Sequence, residues 1–227
     1  MDKGDTSMKG QILVDVLGLE YSPVAIKLLG KNDEAPLGAR RPEKKLVAFC
    51  AGIVEAGRGK MLLLQREDSA CNNPNLILGL LEEANGINSE GRPPLRDTKS
   101  IVLSPISDFE GEPDAVLVWL DPEQAEHFLE AATYELGFDE RGSEKIHVYP
   151  LCGEMLSCPA TLVARVMMDN RPYLAISGRR GNKNLGDKLI LGMPYSFFDK
   201  ASRNILKSEE RFPAEDKITE RRHRSSS

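Results

Sequence analysis

The stretch AVLVWLDPEQAEHFLEAATYELG, Ala115 to Gly137, decides the fold class. Its first six residues are apolar without a break. A strand with no polar face is covered on both sides, so Ala115 to Leu120 reads as a strand central in its sheet. Asp121-Pro122-Glu123-Gln124 then opens a helix, with Asp121 as N-cap, Pro122 at the first helical position and Gln124 closing a capping box. Ala125, Phe128, Leu129, Ala132 and Leu136 fall on one face, and Gly137 stops the helix.

Upstream of this unit, SIVLSPI is a second strand, preceded by a Pro-, Gly- and charge-rich linker from Asn88 to Thr98. Asn73 and Pro74 read as N-cap and first residue of a helix whose stripe is Leu76, Ile77, Leu80, Leu81 and Ala84, closed by Asn85-Gly86. MLLLQRE is a strand candidate. Leu46 to Gly59 holds a short helix carrying Cys50 and ending at Gly57-Arg58-Gly59, and the polar segment Gly30 to Lys45 before it reads as a loop. VAIKLL after Pro23 is a strand, and Met8 to Leu19 is an amphipathic helix that ends on Gly18.

Downstream, KIHVYP, YLAIS and KLILGMP are strands, while Pro159 to Met168 and Tyr195 to Lys207 are helices. Strands and helices mix without strict alternation. The expectation is therefore a single α+β (or α/β) domain, residues 1–207, with a mixed β-sheet and flanking helices. Residues 208–227 are charged and polar and are expected to form a flexible tail.

The chain has 227 residues, enough to bury a sizeable core without disulfides. Lys and Arg total 30 against 35 Asp and Glu, for a net charge of -5 and a pI near 5.4. That balance argues against a broad nucleic-acid footprint, and RRHR near the C-terminus is too short to restore one. The N-terminal MDKGDTSMKG lacks the apolar core of a secretion signal, and no apolar run spans a bilayer. A cytoplasmic protein follows, in which four cysteines are free thiols, metal ligands or redox groups before they are structural disulfides.

Two features carry chemistry. Cys158 stands directly before Pro159, and Cys71 just ahead of the Asn73-Pro74 helix start. Both thiols therefore fall near helix N-termini, where the dipole favours thiolate. With Cys50, and Cys152 as a fourth, they form a candidate ligand set for a zinc ion or an iron-sulfur cluster, both of which take thiolate ligands. No C-x-x-C occurs, and the other reading is four buried thiols, which free cysteine readily becomes. The second feature is the glycine-arginine stretch Gly178, Arg179, Arg180, Gly181 and Asn182, followed by Lys183. Its glycines would let backbone approach a small anionic ligand that the guanidinium groups neutralise. A solvated turn between strands has the same composition. The histidines form no recognisable triad with a serine and a carboxylate, so hydrolase chemistry draws no support from motif.

In order, SPVAIKLL, the lone Cys50 before an Ala-Gly helix, Cys71 ahead of Asn-Pro and Leu-Gly-Leu, PDAVLVWLDPEQAEHFLEAATYELG, CPATLVARVM and LGMP resemble the domain-of-unknown-function 169 family over roughly residues 10 to 206. The resemblance implies a cytoplasmic protein of a kind common in archaea and anaerobic bacteria. The resemblance implies recurring single cysteines at the places of Cys50, Cys71 and Cys158. It also implies a cysteine before the glycine of the loop, where this chain has Ser177. It brings no reaction with it. The expected function is thus a binding protein holding an iron-sulfur cluster or metal beside an anion-binding loop, and whether it is an enzyme stays open. The alternatives are a metal-free enzyme acting on a small phosphorylated or carboxylated metabolite, and an interaction module.

Overall fold

The computed structural model describes residues 3–46, 49–70, 72–81, 97–134, 147–151, 159–177 and 188–211. Six α-helices are described: α1 (Lys3–Leu17), α2 (Phe49–Gly57), α3 (Asn72–Ile77), α4 (Pro122–Thr133), α5 (Pro159–Asp169) and α6 (Tyr195–Arg211). The strands are β1 (Val24–Leu29), β2 (Leu62–Leu64), β3 (Ser100–Pro105), β4 (Ala115–Leu120), β5 (His147–Leu151), β6 (Tyr173–Ser177) and β7 (Leu189–Met193). They form one seven-stranded sheet in the order β2-β3-β1-β4-β7-β6-β5. Every neighbouring pair is antiparallel except β5 and β6, which run parallel. The result is the expected α+β domain with a mixed sheet.

β4 is the middle strand of the seven, and its uninterrupted apolar sequence is explained by its alternation. Ala115, Leu117 and Trp119 point into one core and Val116, Val118 and Leu120 into the other. The first core is roofed by α2, α3 and α5 through Phe49, Ile53, Ile77, Leu162 and Val163. The second is roofed by α1, α4 and α6 through Leu13, Leu17, Phe128, Phe198 and Ile205. Each layer covers one face of the sheet, which is the burial a strand with two apolar faces requires.

Local chemistry fixes several boundaries. The Asp121 carboxylate accepts from the Gln124 backbone N–H at 2.8 Å, and the Gln124 amide oxygen accepts from the Asp121 N–H at 2.9 Å, completing the capping box. The Gln124 side chain also donates to the Leu17 carbonyl at 2.9 Å, satisfying one of the unpaired carbonyls at the end of α1. Asp121→Ala is expected to lower stability by about 1 kcal/mol, the usual worth of an N-cap, as read from the urea midpoint at unchanged slope. α1 ends where Gly18 takes φ +60° and the Leu19 N–H returns to the Val14 carbonyl at 3.0 Å.

Some boundaries differ from the sequence reading. α1 begins at Lys3, ahead of the expected Met8. α3 starts at Asn72 and stops at Ile77, well before Asn85-Gly86. Gly79 at φ +78° breaks the periodic stripe, and the Leu81 N–H turns back to the Asn75 carbonyl at 3.0 Å. α4 ends at Thr133, short of Leu136. α6 runs to Arg211, past Lys207, and the expected tail beyond it lies outside the described residues.

β2 is an edge strand, exposed in principle to pairing with another chain. The segment after β1 covers it. The Leu63 N–H donates to the Arg40 carbonyl at 2.9 Å, and the Arg40 N–H to the Met61 carbonyl at 3.3 Å. Farther on, Leu46 and Ala70 are tied together by a 2.9 Å bond.

Candidate functional site

Of the four cysteines, only Cys50 falls on described residues. It is half-buried on α2 and packs beside the first core. Cys71, Cys152, Cys158 and the stretch Gly178, Arg179, Arg180, Gly181 and Asn182 lie outside the described residues. The elements next to them are described. α3 begins at Asn72, the residue after Cys71, and α5 begins at Pro159, the residue after Cys158. α5 packs against both α2 and α3 on the same face of the sheet. β5 ends at Leu151, the residue before Cys152, and β6 ends at Ser177, the residue before Gly178; Leu151 and Ser177 are register partners on adjacent parallel strands. Lys188, just before β7, brings its ammonium to 3.5 Å from Glu20 at the α1–β1 turn.

Among the described residues, no group of three or more His, Cys, Asp and Glu side chains is arranged to hold a metal ion. No described helix is long and apolar enough to cross a membrane. His127 is a boundary residue on α4 and His147 opens β5. Trp119, 2% exposed, is core, as its apolar setting implied.

The structure adds a feature that the sequence reading passed over. Between the segment covering the β2 edge and the outer side of α2 lies an open groove of about 610 Å³. Arg40, Arg41, Lys44, Lys45 and Lys60 line it against only two acids, Glu43 and Glu55. Ala51 and Met61 supply apolar surface, and the buried Leu46 and Leu62 complete the lining. Arg41 is an anchor: its Nε lies 3.0 Å from one oxygen of the buried Asp68, its Nη2 2.6 Å from the other, and the same Nη2 reaches Glu67 at 2.8 Å. The hydrogen bond to Asp68, opposed by some desolvation, raises the guanidinium pKa above its ordinary value. Asp68 also accepts from the Gln65 N–H at 2.8 Å, so one carboxylate ties the covering segment to the turn after β2. Lys60 pairs with Glu55 at 3.1 Å. The signal in the sequence was RRPEKK, Arg40 to Lys45, two basic doublets in an acidic chain; read linearly, it is indistinguishable from a solvated loop.

The architecture is that of an α+β protein with two helical layers around one mixed sheet. A model of the domain-of-unknown-function 169 family, described as uncharacterised ArCR, matches residues 12–94 and 84–204. The chain belongs to that family. Neither the curated proteins nor the solved structures contain a match to it.

Proposed function

We propose that this family member is a cytoplasmic binding protein whose thiolates Cys50, Cys71 and Cys158, with Cys152, hold an iron-sulfur cluster or a zinc ion. Gly178, Arg179, Arg180, Gly181 and Asn182 would meet a small anionic ligand beside it. The observation that carries the reading is the shared face of α2, α3 and α5. Cys50 is on the first of these helices and Cys71 and Cys158 immediately precede the other two in sequence, while α5 packs against both of its neighbours. The donor set fits the group, since soft thiolates select zinc and iron-sulfur clusters over hard cations. Support for a neighbouring anion contact comes from the pairing of Leu151 with Ser177, which starts the chain segments of Cys152 and Gly178 from adjacent strands. The cluster or ion would supply electron transfer or a Lewis acid, and the chain's part is to supply ligands and exclude water.

The test is anaerobic purification of the wild type and Cys158→Ala, followed by metal analysis and an absorbance spectrum. Stoichiometric iron with a broad band near ~400 nm, absent in the variant, is the expected result for a cluster. Stoichiometric zinc lost in the variant would make it a zinc site. Colourless, metal-free protein in both samples overturns the proposal, leaving a metal-free enzyme on a small phosphorylated or carboxylated metabolite as the better reading.

A further inference from the structure

The basic groove beside α2 is a feature distinct from the proposed ligand set, although one of its lining residues, Ala51, follows Cys50 in sequence, and it calls for its own explanation. Five cations line it in a chain whose net charge is -5. Two of them are neutralised internally, Arg41 by Asp68 and Glu67 and Lys60 by Glu55. The side chains of Arg40, Lys44 and Lys45 make no hydrogen bond or ion pair among the described residues. With Glu43 on the same short segment, these three positive charges face one negative charge; the excess of like charge is repulsive, and solvent relieves this only in part. An anion seated between them would relieve the rest.

The segment is well placed to hold such an anion without being reordered. Its backbone is fixed at one end by the Arg40 bonds to Met61 and Leu63, and at the other by Leu46 to Asp68 at 2.7 Å. The Arg41 fork on Asp68 pins the middle. Immobilising a loop is a large part of the cost of binding, so a braced loop binds more tightly than a free one.

Volume and lining narrow the ligand class. A groove of about 610 Å³ lies within the usual range for small-molecule sites, ~300–1,000 Å³. Its five cations come from Arg40 to Lys45 and from Lys60 alone, a small footprint beside the basic surface that tracking a nucleic-acid backbone requires. The surface is divided between basic side chains and apolar ones from Ala51 and Met61, with Leu46 and Leu62, both buried, adding little. A free inorganic ion would use the first and leave the second bare. We infer that the groove binds a small organic phosphate carrying two or more phosphoryl charges and an apolar or aromatic body, of the nucleoside-diphosphate class, with Arg40, Lys44 and Lys45 on the phosphates.

The test is calorimetric titration of the full chain with ADP and, separately, with inorganic pyrophosphate at about 150 mM salt, where exposed charges are screened beyond ~8 Å. Saturable 1:1 binding of ADP, tighter than pyrophosphate, is the expected result. Lys44→Ala/Lys45→Ala and Arg40→Gln should each weaken it about tenfold or more, because charge-assisted phosphate contacts are lost. Lys31→Ala, an exposed lysine outside the groove, should bind as the wild type does. These side chains are exposed, so folding should persist, and circular dichroism checks it. Absence of saturable binding up to about 1 mM, a affinity far below that of ordinary metabolite sites, overturns the inference. Unchanged, wild-type affinity in both groove variants overturns it as well, as does tighter binding of a single-stranded oligonucleotide or of anionic vesicles than of ADP. Cys158→Ala should leave ADP affinity unchanged, which keeps this outcome separate from that of the cysteine proposal.

Discussion

Trp119→Ala is expected to destabilise the protein by about 3–5 kcal/mol, the range for truncating a large buried aromatic. For a chain of this size that lowers the melting temperature by on the order of 10 °C. The ring is 2% exposed at the end of β4 and its centroid lies 5.6 Å from that of Tyr21, with the planes tilted by 51°. Arg58 stacks 5.5 Å above Tyr21 and donates to its hydroxyl at 3.3 Å. Gly57, the last residue of α2, comes so close that a Cβ there would sit 3.2 Å from the indole. One side chain thus joins the central strand, the α1–β1 turn and the end of α2. Among the described residues its Nε1 has no hydrogen-bond partner, an omission that costs about 1–3 kcal/mol when a donor is buried.

That orphaned N–H makes Trp119→Phe informative. Phenylalanine keeps most of the packing and removes the unsatisfied donor, so its expected cost is below about 1.5 kcal/mol. Unfolding should be followed by circular dichroism, because Trp119 is the only tryptophan and its emission disappears with it. If phenylalanine proves as damaging as alanine, the indole N–H is satisfied, by an ordered water for example, and the polar group is stabilising. If alanine costs less than about 1 kcal/mol, the junction is not where the layers are joined.

The second large effect is expected at Gly192 on β7. A Cβ built there would lie 2.8 Å from Cγ and Cδ2 of Leu162 on α5 and 3.0 Å from Cδ2 of Leu117 on β4. The missing side chain lets α5 settle directly on the sheet. Gly192→Val would otherwise favour a strand, since β-branched residues fit a pleated surface. Here overpacking should dominate and cost about 1–3 kcal/mol. Leu162→Ala alone should cost about 2–5 kcal/mol by leaving a cavity. Combined, the two changes should cost less than their sum by roughly 0.5–3 kcal/mol, because each relieves the other's misfit. Strict additivity in urea unfolding would mean that Leu162 is not what valine meets. α5 is the helix that follows Cys158 in sequence, so the valine variant also asks whether metal content responds to how closely that helix lies on the sheet.

Local physics made much of the fold legible. The capping box at Asp121 and Gln124 needs only residues three apart, and the alternation of β4 needs only its own six residues. Both are visible in the chain before anything folds. At α3, where local signals misled most, a single backbone position was responsible: the stripe from Leu76 to Ala84 has helical spacing, but Gly79 at positive φ turns the chain after Ile77. The family was legible too, because its motifs are ordered along the chain and the matched spans together reach from residue 12 to residue 204.

The sequence by itself determined the identity and order of the elements, the two-faced burial of β4, and which residues are chemically able to bind metal or anion. Only the tertiary structure decided that β7 sits between β4 and β6, that β5 and β6 run parallel, and that α2, α3 and α5 share one face while α1, α4 and α6 share the other. It alone turned Arg40 to Lys45 from a polar loop into the wall of a groove, by pairing Arg41 with Asp68 and leaving its neighbours' charges facing open space. The reason is range. Capping, turns and periodicity act over a few residues, whereas strand order and groove walls depend on contacts between residues far apart in the chain, whose closure no local pattern encodes.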